Sequence, residues 1–216
     1  VSTLILQPGE DDATCADAMI GDGAYASTNY GGQLDHYIGR YIILKDLGVN
    51  FRTLLRFDLS AILGATVVDA ALSLSLGANS SLTNETYSIH RLTQPSWTEF
   101  GVTWNTFDET NPWITPGGDF DATPVQSIAL TTPQPLIYDN LKSLVQDAIS
   151  LRGGMLDVLI KGTGITPGNQ RLVVRGSGDP NPTLRPKLVV NYDFPPWCVD
   201  VADRAVWSVA TADRSC

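Results

Sequence analysis

Two groups of side chains in this 216-residue chain have the types and spacing to do chemistry. The first is acidic. Glu10, Asp11, Asp12, Asp17 and Asp22 crowd a short N-terminal segment rich in small residues. Calcium takes clustered carboxylates and carbonyls, so Asp11, Asp12, Asp17 and Asp22 are candidate ligands for a structural calcium ion, the one cofactor the sequence suggests. The spacing lacks the D-x-[DN]-x-[DN]-G order of an EF-hand, and a solvated acidic loop is the alternative. The second group is aromatic. Trp113 follows Pro112 in a stretch without periodicity, which places its ring on a loop, with Tyr30 and Tyr37 as helpers. The apolar face of a sugar packs on such rings, so the three form a candidate glycan platform, with local packing as the alternative.

Catalytic patterns are missing from the sequence. It contains no G-x-S-x-G, no Gly-rich phosphate loop and no H-E-x-x-H. His36 and His90 fall in strand-like stretches, and no pair among the 23 carboxylates stands out for glycoside hydrolysis. The expectation is a protein that is not an enzyme.

The elements that must position these residues read as short strands. Residues 51–60, FRTLLRFDLS, carry the clearest period-two signal. Phe51, Thr53, Leu55 and Phe57 share one face, and Arg52, Leu54, Arg56 and Asp58 share the other. That suits a sandwich strand with an inner apolar face and an outer face whose charges are solvated or locally paired. Further strands are expected at residues 2–6, 16–20, 36–44, 65–76, 86–92, 125–130, 155–161, 171–175 and 187–192. Residues 97–118 read as a long irregular stretch bearing three tryptophans. One helix is expected within residues 136–149, from Leu141, Leu144, Val145, Ala148 and Ile149 at i, i+3, i+4, i+7 and i+8. Asp139 or Asn140 would cap its start and Gly153-Gly154 its end. Short strands with frequent turn signals and one helix predict an all-β fold, an antiparallel jelly-roll β-sandwich spanning residues 1–192.

Bulk properties narrow the partners. A formal net charge of −9 argues against a nucleic-acid backbone and an anionic membrane surface. No apolar run approaches the length of a membrane span, so no membrane insertion is expected. Cys15, Cys198 and Cys216 fit no zinc spacing and leave a disulfide or three thiols equally open.

Beyond residue 192 the composition changes. Residues 193–196, DFPP, read as a stiff linker, and residues 197–216 as an extended C-terminal tail with a ten-residue repeat. WCVDVADRAV aligns with WSVATADRSC at five of ten positions, a coincidence rare between random decapeptides. Trp197, Val199, Asp203 and Arg204 recur as Trp207, Val209, Asp213 and Arg214, with Cys198 in the first copy and Cys216 as a candidate covalent lock. These ten residues are read as an assembly element that adds a strand to a neighbouring sheet edge, against the alternative of a tail covering its own edge.

The framework motifs carry a resemblance. Asn29-Tyr30-Gly31, Leu54-Leu55-Arg56-Phe57-Asp58-Leu59-Ser60, Ala70-Ala71-Leu72-Ser73-Leu74, Trp97-Thr98-Glu99, Val102-Thr103-Trp104-Asn105, Leu144-Val145-Gln146-Asp147 and Arg185-Pro186-Lys187-Leu188-Val189-Val190 come in the order and spacing of one family. The chain resembles the DNRLRE (disaggregatase-related) domain family of secreted and surface-exposed β-sandwich modules. The resemblance implies a jelly roll without known catalysis, with Trp97 and Trp104 in the framework. It also implies relatives that bind polysaccharide and others that sit in adhesins or phage structural proteins. Two features depart from the family: the acidic segment around Cys15 and the tail.

The combined expectation is a non-catalytic structural or decoration subunit of an extracellular surface assembly, such as a virion, filament or cell envelope. Its partners would be copies of itself or other surface or virion proteins, as a homo-oligomer held by the tail. The alternative is a carbohydrate-binding module that recognises a polysaccharide.

Overall fold

The computed structural model describes residues 1–9, 15–44, 47–164 and 168–195. The repeat tail and the candidate ligands Asp11 and Asp12 lie outside the described residues. The described residues form strands β1 (Ser2–Leu6), β2 (Cys15–Gly21), β3 (Asp35–Leu44), β4 (Leu47–Asp58), β5 (Thr66–Leu74), β6 (Glu85–Arg91), β7 (Gln126–Leu130) and β8 (Leu136–Tyr138). Helix α1 (Lys142–Leu151) and strands β9 (Met155–Gly162), β10 (Gln170–Arg175) and β11 (Lys187–Asp193) follow.

All pairings between strands are antiparallel, and they make two sheets. The smaller has the order β1-β11-β5-β8, and the larger has the order β10-β3-β4-β9-β6-β7 with β2 paired to β4. The two sheets curl into the expected sandwich-like architecture. Strand β4 is its spine. Arg52 pairs with Ile20 of β2 and with Lys161 of β9, while Phe51 pairs with Gly21 of β2 and Gly39 of β3. Each side of β4 can hold one partner per residue. β3 and β9 therefore share one side of β4, end to end, and β2 takes the other.

The inner face of β4 buries Leu55 and Phe57 in the main core, with Leu72, Leu74, Leu188 and Val190 from the smaller sheet. Helix α1 adds Leu144, Val145, Ala148 and Ile149, four of the five apolar positions that predicted it. The helix starts later than its apolar run suggests. Leu136 and Tyr138 are both buried and belong to β8, so their period is two rather than 3.6. The expected cap is corrected as well. Leu141 is the N-cap and makes no side-chain cap bond, while the Asp139 carboxylate accepts from Gln126 Nε2 at 2.8 Å. At the other end Gly153 takes φ +61° and Gly154 N donates to Ala148 O, as expected of a glycine stop.

Candidate functional site

The outer face of β4 is not solvated. Leu54 packs with Ala18 and Ile20 of β2, Leu159 of β9, Leu92, Trp97, Val102 and Trp113 in a second apolar cluster. The irregular stretch 92–120 lies over this face, and the β4 arginines fasten it there. Arg56 donates to one Asp157 carboxylate oxygen at 2.7 Å, to Trp97 O at 3.1 Å and to Pro95 O at 2.5 Å. Trp97 Nε1 donates to the same Asp157 oxygen at 2.7 Å. Arg52 donates to Gly117 O at 2.5 Å and stacks on Trp104, 4.4 Å from the ring centroid. Burial lowers the Arg52 pKa to about 10, with Asp22 pulling it back up. Local pairing is thus the role of these charges, and the tryptophan loop is what they pair with.

This arrangement corrects the expectation for Trp113. Its ring is only 3 % exposed, lies edge-on to Phe107 and donates from Nε1 to Thr103 O at 2.9 Å. A platform needs an open face, and the Trp113 ring offers none. The stretch lacks periodicity but is not exposed, and local packing, the alternative, is the role of the Trp113 ring.

Tyr30 and Tyr37 do come together, with three rings that sequence reasoning left out. Phe51 is the buried centre at 4 % exposure. Around it stand Tyr25 with ring centroids 6.0 Å apart, Tyr30 at 6.4 Å and Tyr37 at 5.4 Å, the last nearly perpendicular at 86°. Tyr41 continues the group, 6.2 Å from Tyr37. All four tyrosines are half-buried, so each keeps part of its surface in solvent. The Arg171 guanidinium lies over Tyr41 at 4.1 Å and over Tyr37 at 4.8 Å. Its Nε makes no hydrogen bond. Arg40 Nε beside Gly48 also makes none.

Local structure explains why these rings meet. Gly39 takes φ +93° within β3, and a Cβ there would overlap Gln170 O, so no side chain fits. The turn bearing Tyr30 is tied down by Asn29, whose Nδ2 donates to Glu99 O at 2.8 Å and Val102 O at 2.7 Å. Gly31 abuts Glu99 O so closely that a Cβ would overlap it. Tyr25 is carried by the short 3-10 turn Gly23–Tyr25 after β2. Burial pushes the Tyr30 hydroxyl pKa up, against a hydrogen bond with Thr28, so the ring bears a neutral hydroxyl that can donate and accept.

The acidic candidates separate. Asp17 is 1 % exposed within β2 and accepts from Ser177 N at 2.5 Å and Ser177 Oγ at 2.7 Å. Asp22 accepts from Asn50 N at 2.8 Å and Asn50 Nδ2 at 2.7 Å. Asp17 is thus a buried strand residue rather than part of an exposed acidic loop. Among the described residues no three His, Cys, Asp or Glu side chains form a metal-binding group. His36 and His90 are both buried: His36 Nε2 lies 3.1 Å from Gln33 O, and His90 Nε2 lies 2.8 Å from Ser88 Oγ.

Residues 11–116 match carbohydrate-binding module family 96. The match contains β2 to β6, all five rings of the aromatic group and the whole arginine-fastened tryptophan region up to Pro116. It supports a carbohydrate-binding-like module. Comparison with curated proteins finds no match. Among the described residues no helix is long and apolar enough to cross a membrane.

Proposed function

We propose that the protein is a non-catalytic polysaccharide-binding module, working outside the cytoplasm, and that its glycan lies against Tyr25, Tyr30, Tyr37 and Tyr41. One observation carries the reading. Three half-buried tyrosines from three segments, Tyr25, Tyr30 and Tyr37, converge on one buried phenylalanine, and Tyr41 of the same strand as Tyr37 extends the group, inside the segment that matches a carbohydrate-binding family. Rings held by packing lose little entropy on binding, and their faces suit the apolar faces of sugars. Their hydroxyls supply donors and acceptors for ring oxygens and hydroxyls. The resemblance to the DNRLRE domain family is part of this reading, since some of those modules bind polysaccharide. The assembly reading rests on residues 197–216, outside the described residues, and on the resemblance to surface and phage structural modules, and no observation of the described residues favours it.

The test is affinity electrophoresis of the whole chain through gels containing alginate, pectin, xylan or a mixed-linkage glucan. At least one polymer is expected to retard the protein. Tyr37→Ala and Tyr30→Ala are each expected to weaken that binding about tenfold, equivalent to roughly 1.4 kcal/mol, with circular dichroism unchanged. Migration unaffected by every polymer would sink the proposal.

A further inference from the structure

We propose a second sugar site, in the cleft between the start of β7 and the first turns of α1, which takes a neutral sugar residue. The cleft holds about 570 Å³ and is lined on one side by Arg91 and residues 121–125, on the other by Asn140, Ser143, Leu144 and Asp147. Small-molecule pockets usually hold roughly 300–1,000 Å³. The cleft lies outside the family-matched segment except for Arg91.

Its polar groups are fixed in advance. Arg91 at the end of β6 donates from Nε to Asp121 Oδ2 at 2.6 Å and from Nη1 to Asp147 Oδ2 at 2.7 Å. One guanidinium therefore clamps two carboxylates from different elements. Among the described residues the second oxygen of each carboxylate has no hydrogen-bond partner and is left to accept. Both aspartates stay open to solvent, at 38 % and 41 % side-chain exposure. The exposed Asn140 amide and Ser143 hydroxyl add donors on the opposite wall. Pro124, Val125 and Leu144 give the cleft an apolar portion. Fixed acceptors, nearby donors and an apolar surface are what adjacent sugar hydroxyls and the ring C–H groups require.

Charge selects the class of sugar. One guanidinium stands against two carboxylates, so the cleft is net negative and repels uronic acids and sulfated sugars. A neutral sugar with adjacent hydroxyls fits, as a chain end or side branch of a polymer or as a free sugar. The site extends the glycan-binding reading to a second place on the molecule and stands or falls separately from the tyrosine face.

The experiment is a backbone NMR titration of the whole chain with glucose, galactose, mannose, xylose and arabinose, and with glucuronate as the anionic comparison. At least one neutral sugar is expected to give saturable shifts at residues 121–125 and 140–147. Ser143→Phe, which fills the cleft from an exposed helix position, should abolish them, and Asn140→Ala should weaken them severalfold. Tyr37→Ala should leave them intact while reducing retardation by polymer. Absence of cleft shifts with every neutral sugar would overturn the site even if polymer binding at the tyrosines is confirmed. Shifts that persist in Ser143→Phe would overturn it too, and equal shifts with glucuronate would overturn the assigned class.

Discussion

Asp157 is the residue on which the tryptophan loop depends. Its carboxylate is 2 % exposed and takes Arg56 and Trp97 on one oxygen, while the other makes no hydrogen bond. Burial raises its pKa despite the opposing pull of Arg56 and Trp97. Arg56→Met would leave a buried carboxylate with only the indole. Removing one partner of a buried pair costs about 3–5 kcal/mol, and Arg56 is partly exposed, so a loss near the lower end is expected at neutral pH. Because the raised carboxyl protonates first in the folded protein, the deficit of Arg56→Met should shrink as pH falls. Urea unfolding at neutral pH and at mildly acidic pH would measure it, and a deficit that grows in acid would contradict the account. His90 runs the other way. Burial lowers its pKa, with Lys161 and Arg52 adding to the effect and the Asp121 carbonyl opposing it. The folded state then resists the proton that the unfolded chain takes up near its ordinary value of about 6.5. Stability from this group is intact above that pH and is lost as pH falls toward the depressed value. His90→Asn should flatten that part of the stability profile, measured as urea midpoints stepped downward from neutral pH.

Gly39 shows how an element, rather than a single contact, builds the tyrosine face. Its positive φ lets β3 turn from β10, which pairs with Asp35–Arg40, toward β4, which pairs with Gly39–Leu44. Gly39→Ala would meet the Gln170 carbonyl and hold a strained φ, so a loss of at least roughly 1–3 kcal/mol is expected. Because Gly39 lies between Tyr37 and Tyr41 on β3, polymer binding of the surviving folded fraction should fall as well. Differential scanning calorimetry and affinity electrophoresis would check the two effects, and unchanged retardation would separate the Gly39 backbone from the site. The alternation that made β4 legible is local, since Phe51 to Phe57 report their face within a few residues. The same signal announced a brief strand near Ala16, later β2, and the strand over His36 to Leu44. It failed where a short strand abuts a helix, as at Leu136 and Tyr138, because apolar residues two apart also fit a longer helical run. It was silent about Tyr25 and Tyr41, because the group forms only where the register of β3 on β4 sets Gly39 opposite Phe51 and the turn bearing Tyr25 and Tyr30 folds back onto that ring. Trp113 was misplaced for the same reason: only the cover that residues 92–120 make over β4 determines which face of its ring is closed.

At the scale of the molecule, the segment that matches the carbohydrate-binding family does not contain the partners that hold it together. Within residues 11–116, β5 would lose both of its neighbours, β11 and β8, and β6 would lose both β9 and β7. β4 would lose β9, leaving Arg56 without Asp157. β3 would lose β10, and with it Arg171, whose guanidinium lies over Tyr37 and Tyr41. Six lost pairings on four strands, an opened core and uncovered Leu55 and Phe57 are incompatible with an independent fold. The described residues are therefore expected to fold as one cooperative unit in which late strands close both sheets, a topology dominated by non-local pairing. A peptide of residues 11–116 is expected to be unfolded or aggregated and to bind no polymer, although all five rings of the tyrosine face are present in it. Near-ultraviolet circular dichroism and electrophoresis beside the whole chain would test this. A cooperative melting transition in the peptide would show that the late strands are additions to a self-sufficient module rather than part of its core.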